Sequence, residues 1–276
     1  MQKILTTSSM VFSTLVKLVV LAVFVFPFLW MISVSLQTTE ETYSHPITLV
    51  PRIPQFINIA DAWSSGPFPM YLRNSIIVTA SIIIFQVLIM IPAAYAFAKY
   101  EFPGRGLLFS LVIIAFMTPG QITFLPIYQM MASWKLLDTL LPQIIPALTN
   151  CFGIFLLRQY FRQVPDELIE SAKLDKASEL NIIFRIMLPM SKAALSTITL
   201  FSFVSHWNDY FWPLVMTNTT RVRPLTVGIQ MLRDTEGLTR WNIIMAGNMI
   251  LVIPILLVYV FASRNIIRAF TYSGIK

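Results

Sequence analysis

A single cysteine, Cys151, leaves the chain without a partner for an internal disulfide. The two histidines, His45 and His206, lie far apart in sequence with no cysteine cluster near either, so no metal site is expected. No stretch reads Gly-x-x-x-x-Gly-Lys followed by Ser or Thr, the glycine-rich turn whose backbone N–H groups cradle nucleotide phosphates. That mode of ATP binding is excluded. His206 and Asp209 stand at i and i+3 near Ser202 and Ser205, yet no serine lies in a nucleophile motif, and no catalytic residue is assigned. Internal repeats, usual in carriers driven by ion gradients, are not visible either, which counts against an ion-coupled secondary carrier.

Charge is also scarce. Only 12% of the 276 residues are charged, 56% are hydrophobic, and the mean hydropathy is +0.71, far outside the range of a soluble globular domain. The composition implies an all-α, polytopic membrane protein with room for about six transmembrane helices. The net charge of +7 does not signal nucleic acid, because the basic residues border hydrophobic runs instead of forming one stripe. The lipid bilayer is the partner such a chain requires.

Apolar runs at 11–36, 74–98, 107–131, 140–160, 190–215 and 241–263 each have about the 20 residues that cross a bilayer. The first is too long for a signal-peptide core and lacks a small-residue cleavage site, so it reads as a retained span, with Lys17 able to snorkel to the headgroups. Six spans put both termini on one side. Thirteen of the twenty Lys and Arg then share that side, which the positive-inside rule places in the cytoplasm. Residues 37–72 become an extracytoplasmic loop, where Pro46, Pro51, Pro54, Pro67 and Pro69 exclude a regular helix and interleaved aromatics suggest an ordered surface. This loop reads either as a docking surface or as a lid over the protein's own spans. A second outer segment, 217–240, sets four arginines against Asp234 and Glu236, which suits an acidic partner, an anionic substrate or a solvated loop.

Two spans carry polar interruptions. In the third, Met117-Thr118-Pro119-Gly120-Gln121-Ile122-Thr123-Phe124-Leu125-Pro126 frees backbone carbonyls that only protein or a water-filled path can satisfy. Pro119, Gln121 and Thr123 are candidates to line a route; the other reading is a proline kink packed among helices. In the fifth, Asn208 lies nineteen residues beyond Pro189, about 28 Å along a continuous helix at 1.5 Å per residue. An ionised group in hydrocarbon costs roughly 2.5–3.5 kcal/mol even on a lenient scale, which puts Asp209 at the interface or on a polar cavity. Ser205, Trp207, Asn208, Asp209 and Tyr210 are the further candidates for a substrate path, with an aromatic anchoring belt as the competing reading.

The one long, densely charged segment runs from Gln163 to Pro189 and must sit in water. Pro165 suits the start of a helix, and Asp166 and Glu167 place negative charge at its positive end. Val164, Leu168, Ile169 and Ala172 share one face at 100° per residue. From Leu174 the phase reverses, with Leu174, Ala177 and Leu180 on the formerly charged side. One straight helix cannot bury both sets, so two short helices joined by a turn near Leu174 to Lys176 are expected.

Glu170-Ser171-Ala172, then Asp175 and Lys176, and finally Ile186-Met187-Leu188-Pro189 resemble the EAA loop of ABC-importer permeases: Glu-Ala-Ala, three residues, Gly, nine residues, Ile, any residue, Leu-Pro. Ser171 replaces the second motif residue and Lys176 the glycine. The run Trp207-Asn208-Asp209-Tyr210-Phe211-Trp212-Pro213-Leu214 is similar to the fifth-span signature of carbohydrate-importer permeases, and Ser273-Gly274-Ile275-Lys276 to their short tail. The chain thus resembles carbohydrate ABC-importer inner-membrane permeases of the maltose type. The resemblance implies the type I importer permease fold in one transmembrane domain spanning 1–276, in a bacterial cell membrane.

It also implies a second homologous permease subunit, two ATP-binding cassette subunits, an extracytoplasmic solute-binding protein and a carbohydrate substrate. This chain would bind no cofactor itself, since ATP and Mg belong to the partner ATPase subunits. Its ATPase-coupling residues would be Pro165, Glu167, Leu168, Glu170, Ser171, Ala172, Asp175, Lys176, Ala177, Leu188 and Pro189. Glycerol phosphate or another polyol-like solute is the alternative cargo.

Overall fold

The computed structural model describes residues 2–233 and 239–272, with side chains for 12–233 and 239–263. Asp234, Glu236 and the 273–276 tail lie outside the described residues. Among the described residues every regular element is helical. Four stretches are long and apolar enough to cross a bilayer: Phe12–Ser35, Phe68–Lys99, Leu141–Arg162 and Trp241–Ser263. Counting two sharply bent helix pairs as one span each makes six. Contacts group the chain into two compact units, one made of the chain up to Phe68 with Gly228–Ile253, the other of Pro69–Val227 with the chain from Pro254 onward.

In the first unit, α1 (Gln2–Ser35) carries the apolar stretch Phe12–Ser35, whose most apolar part has no buried residue, as suits a helix bathed in hydrocarbon. The loop after it is more regular than its prolines suggest. It contains α2 (Thr39–Thr42) and α3 (Ile57–Ser64), and α4 (Phe68–Lys99) already begins inside it. The prolines fall where they do no harm: Pro54 and Pro67 bracket α3, and Pro69 sits in the first turn of α4, where a missing N–H breaks no bond. A capping box starts α2, with Glu41 N–H donating to the Thr38 hydroxyl at 3.2 Å and Thr38 N–H to the Glu41 carboxylate at 3.1 Å.

A buried amide cluster ties this unit together. The Asn58 side chain donates to the carbonyls of Ser35 at 2.9 Å and Gln37 at 2.8 Å. Asn242, in the first turn of α14 (Trp241–Tyr272), donates to Asn58 Oδ1 at 3.2 Å. These bonds satisfy carbonyls that the end of α1 leaves unpaired.

In the second unit the third span breaks completely. α5 (Arg105–Met117) and α6 (Gly120–Ser133) meet at 97°, where a kinked single span was expected. Pro119 is the cause: its ring pushes Thr118 out of the helical region, to ψ 118°, and the chain restarts in a new direction. The fourth span is segmented into α7 (Leu141–Ile144), a 3-10 turn at Ile145–Ala147 and α8 (Cys151–Arg162), which Asn150 caps through Gly153 N–H at 2.7 Å.

No continuous helix runs from Pro189 to Asn208. α11 (Leu188–Met190) gives way at Ser191, and α12 (Lys192–Trp207) departs at 84°. α12 has 16 residues, about 24 Å at 1.5 Å per residue, and Asn208 lies at its end. The chain resumes as α13 (Phe211–Met216).

Of the segment 217–240, residues 222–229 pack against the body instead of lying in solvent. Asn74 donates to the carbonyls of Arg221 at 2.9 Å and Arg223 at 3.0 Å, Gln143 donates to Val222 O at 3.0 Å, and Leu225 N–H donates to Ser75 Oγ at 2.8 Å. Leu225 and Val227 have no exposed surface. Asp138 holds the turn that begins this segment. Its carboxylate accepts from Thr219 N–H at 2.8 Å and Asn218 N–H at 2.9 Å, and the Thr219 N–H foremost keeps its carboxyl below the usual range, outweighing a small desolvation.

The main core joins α4, α8 and α12 through Met90, Ile91, Leu157, Phe161 and Ile198. Each fully buried side chain of this kind contributes about 1.5–3 kcal/mol. Gly153 lets the three helices converge, because a Cβ there would collide with Met90 Sδ and stand 3.0 Å from Ile198 Cγ2. Gly153→Val therefore lowers stability by about 1–3 kcal/mol through overpacking, read as a drop in the thermal midpoint of the detergent-solubilised protein. An unchanged midpoint would mean that Met90 moves aside freely.

Candidate functional site

The charged segment folds as two short helices. Pro165 occupies the cap of α9 (Asp166–Leu174), and Asp166 and Glu167 stand in its first turn, at the positive end of the helix dipole. Beyond Leu174 the Lys176 N–H donates to Lys173 O at 3.0 Å and the Ala177 N–H to Ala172 O at 2.9 Å. This paired closure is the Schellman motif, which calls for a left-handed residue, and Lys176 supplies it at φ +58°. A lysine thus holds a backbone conformation that ordinarily favours glycine. Ser178 then caps α10 (Glu179–Ile182) by accepting from Asn181 N–H at 3.3 Å. A π-helical turn at Ile183–Met187 leads into α11.

Packing narrows the buried face below expectation. Val164 and Ile169 are buried and Ala172 half-buried, but Leu168, grouped with them by periodicity, is 45% exposed. The apolar packing of this arm runs along Val164, Ile169 and Ala172, and Leu168, one residue off that line, falls outside it. Leu174 and Leu180 are exposed at 84% and 66%. Glu167, Glu170, Ser171, Asp175, Lys176 and Pro189 are exposed as well, while Ala177 and Leu188 pack part-buried against the core. The segment is a knob whose isoleucines hold it to the body and whose Leu168, Leu174, Leu180 and carboxylates are left outside.

The membrane candidates separate into two groups. Trp207 is buried, with its ring stacked on Phe203 at 5.4 Å, so it packs inside instead of lining a surface. Asn208 turns its amide back to Val204 O at 2.9 Å and ends α12. The Asp209 carboxylate accepts from Trp212 N–H at 3.3 Å, and its carbonyl accepts from the Thr226 hydroxyl at 2.7 Å. In the third span Pro119 and Gln121 are exposed, and Thr123 returns its hydroxyl to Gly120 O at 3.0 Å. Phe124 joins the two breaks, with its ring centroid 5.0 Å from that of Phe211 and 5.5 Å from that of Trp212.

Ser205 belongs to a cavity of about 360 Å³ that also takes in Ser202 and His206, together with Gln86, Thr149 and Asn150, which were not singled out from the sequence. Gln86, Thr149, Asn150, Ser202, Ser205 and His206 line it together with Phe116, Phe152 and Phe201. Gln86 organises them. Its amide donates to Ala147 O at 2.7 Å and lies 3.3 Å from His206 Nε2, and its oxygen accepts from Ser202 Oγ at 2.6 Å and Asn150 Nδ2 at 3.2 Å. A signal existed, because Gln86 is the one amide in the apolar run from Ile82 to Ile91. A polar side chain there needs partners within the protein. A smaller adjoining cavity touches Ser75, Thr79, Gln143, His206 and Asp209.

The family described as binding-protein-dependent transport system inner membrane component matches residues 90–272. The chain belongs to that family. It is 30% identical over 265 residues to the sn-glycerol-3-phosphate transport system permease protein UgpE of Escherichia coli O1:K1, covering 94% of each chain. To the protein of the same description from Pectobacterium atrosepticum it is 30% identical over 236 residues, covering 83% of this chain and 84% of that one.

The fold matches a chain in the crystal structure of a bacterial ABC transporter involved in the import of the acidic polysaccharide alginate. The TM-score is 0.80 at 24% identity, covering 93% of this chain and 97% of that one. A second structure of the alginate transporter, in complex with alginate pentasaccharide-bound periplasmic protein, matches with TM-score 0.65 at 16% identity over 94% of each chain. The chain is a permease subunit of an ABC importer, an inner-membrane component with several membrane-spanning helices, and a transport protein instead of an enzyme.

Two outcomes test the geometry. Lys176→Gly relieves a left-handed residue with a Cβ and raises stability by about 0.5–1 kcal/mol, visible as a higher thermal midpoint; a lower midpoint would deny the strain. Gln86→Leu strips partners from Ala147, Asn150 and Ser202 and lowers stability by roughly 1–3 kcal/mol by the same measurement, and a neutral result would show that water replaces the amide.

Proposed function

We propose that this subunit forms half of the translocation path for a sugar or oligosaccharide and is coupled to two ATP-binding cassette subunits through residues 163–189. What carries the coupling assignment is the knob, whose exposed leucines and carboxylates sit on a base of buried isoleucines. A soluble partner suits such a surface, since exposed leucines gain most from being covered. Glu170 and Asp175 make the polar contacts, and Ala172 keeps the first arm close to the body. Closure of the ATPase pair pushes the knob and tilts α12 through Leu188 and Pro189. ATP and Mg stay on the partner subunits, and this chain binds no cofactor.

The cavity around Gln86 and Ser205, with Asp209 and the break at 208–210 beyond it, faces the path. Amide and hydroxyl groups beside three phenylalanines suit a polyhydroxylated solute, because sugars pair polar edges with apolar faces. Pro119, Gln121, Thr123 and Tyr210 extend this surface, and a second homologous permease closes it. The whole chain acts as one transmembrane domain with both termini cytoplasmic. The 37–72 loop faces outward and receives a solute-binding protein. A second reading, import of glycerol phosphate, is favoured by what the relatives named above transport. Against it, among the described residues no Lys or Arg lines the cavity.

Purification in mild detergent tests the assignment: an ATPase, a second permease and a binding protein co-purify, and the solute carried by the binding protein is a neutral sugar. Recovery of sn-glycerol 3-phosphate from that protein would select the second reading. Glu170→Lys inserts normally but abolishes ATP-driven uptake, and normal uptake by that variant would remove the knob from the coupling route.

A further inference from the structure

The cytoplasmic end of α4 grips the knob at two points, one on each arm. On the first arm, Lys99 donates to Asp166 Oδ1 at 2.6 Å and to Val164 O at 2.6 Å. Its side chain is only 8% exposed, so the charge is held against the body. On the second arm, the Tyr95 hydroxyl donates to Glu179 Oε2 at 2.7 Å. Tyr95 is itself 3% exposed and edge-on to Phe161 at 6.4 Å, which fixes the ring that carries this hydroxyl. Lys173 of the first arm reaches Glu179 at 3.5 Å, so the same carboxylate joins the two arms.

The chain leaving the knob is broken by comparison. The 84° bend at Ser191 lies between the second arm and α12. A push on the knob reaches α12 through a bend, but reaches α4 through a charged hydrogen bond on each arm. Charge-assisted bonds to buried partners are the stronger kind.

We infer that Tyr95 and Glu179, with Lys99 and Asp166, are positioning residues that make the knob and α4 one rigid body, so that the ATPase stroke moves the second span directly. This rests on the reading of the knob as the coupling element. Tyr95 and Lys99 take no part in ATPase docking. They decide instead which membrane helix the docked knob moves.

The test uses the complete complex, purified with its ATPase subunits in lipid nanodiscs, in a Cys151→Ser background. Spin labels are placed at Asn181 on the knob and Leu88 on α4, both exposed. The distance between the labels is measured with and without vanadate-trapped nucleotide. In the otherwise native chain the distance is expected to be the same in both states. In the Tyr95→Phe, Lys99→Met variant trapping shifts or broadens it, while ATP hydrolysis stays within about twofold. Glu179→Gln, which keeps an acceptor for the Tyr95 hydroxyl but loses its charge, shifts the distance less than the double variant does.

A shift in the native chain, or a double variant indistinguishable from it, overturns the inference. Loss of label ordering in the double variant before any nucleotide is added would make the four residues merely structural, which also overturns it. Failure of the underlying reading looks different: a cysteine at Leu174 would then react with maleimide equally fast with and without the ATPase subunits bound.

Discussion

Inside a bilayer a carbonyl that leaves its helix has no water to turn to, and this constraint shapes the second unit. The fourth span abandons regular helix at Ile145–Ala147, and the freed carbonyl of Ala147 is met by Gln86 from the middle of α4. The other end of that amide gathers Ser202 from α12 and Asn150 from the cap of α8. One side chain thus binds three helices at membrane depth. The polar cavity exists because these helices are broken and its walls carry the groups that satisfy the breaks.

The segments between spans follow the same rule. Asn74, Ser75 and Gln143 reach from the membrane helices to the backbone of 221–225, so a loop with four nearby arginines is stitched to the body. In the first unit Asn58 and Asn242 do the equivalent work for the end of α1. Amides suit this role, since each offers a donor and an acceptor and carries no charge into a poorly solvated place. They join helix ends without the desolvation cost of an ion pair.

The knob obeys a different balance. It lies in water, where its charges are solvated, and is kept in place by Ile169, Ile182 and Ile183 inserted into the core of α4 and α8. Its turn is a Schellman closure that tolerates lysine because the two hydrogen bonds to Ala172 and Lys173 outweigh the local strain. The turn therefore joins two anchored arms rigidly.

Much of this was legible in the sequence. Hydropathy alone yields the spans and the all-helical class, because the bilayer fixes a length of about 20 apolar residues. The phase reversal at Leu174 dictates two arms and a turn, since one helix cannot bury opposite faces. The prolines of the 37–72 loop misled, because a proline's effect depends on whether it falls inside a helix or at its edge. Trp207 and Leu168 misled for a related reason. Periodicity says which residues share a face but not how wide a strip the neighbours cover.

The directions of the chain at Thr118, Ser191 and Asn208, the gathering of Asn150, Ser202 and His206 around Gln86, and the grip of Tyr95 on Glu179 were decided only by tertiary structure. They pair residues up to 120 positions apart. Local sequence determines which groups must find partners, and three-dimensional packing determines which partners they find.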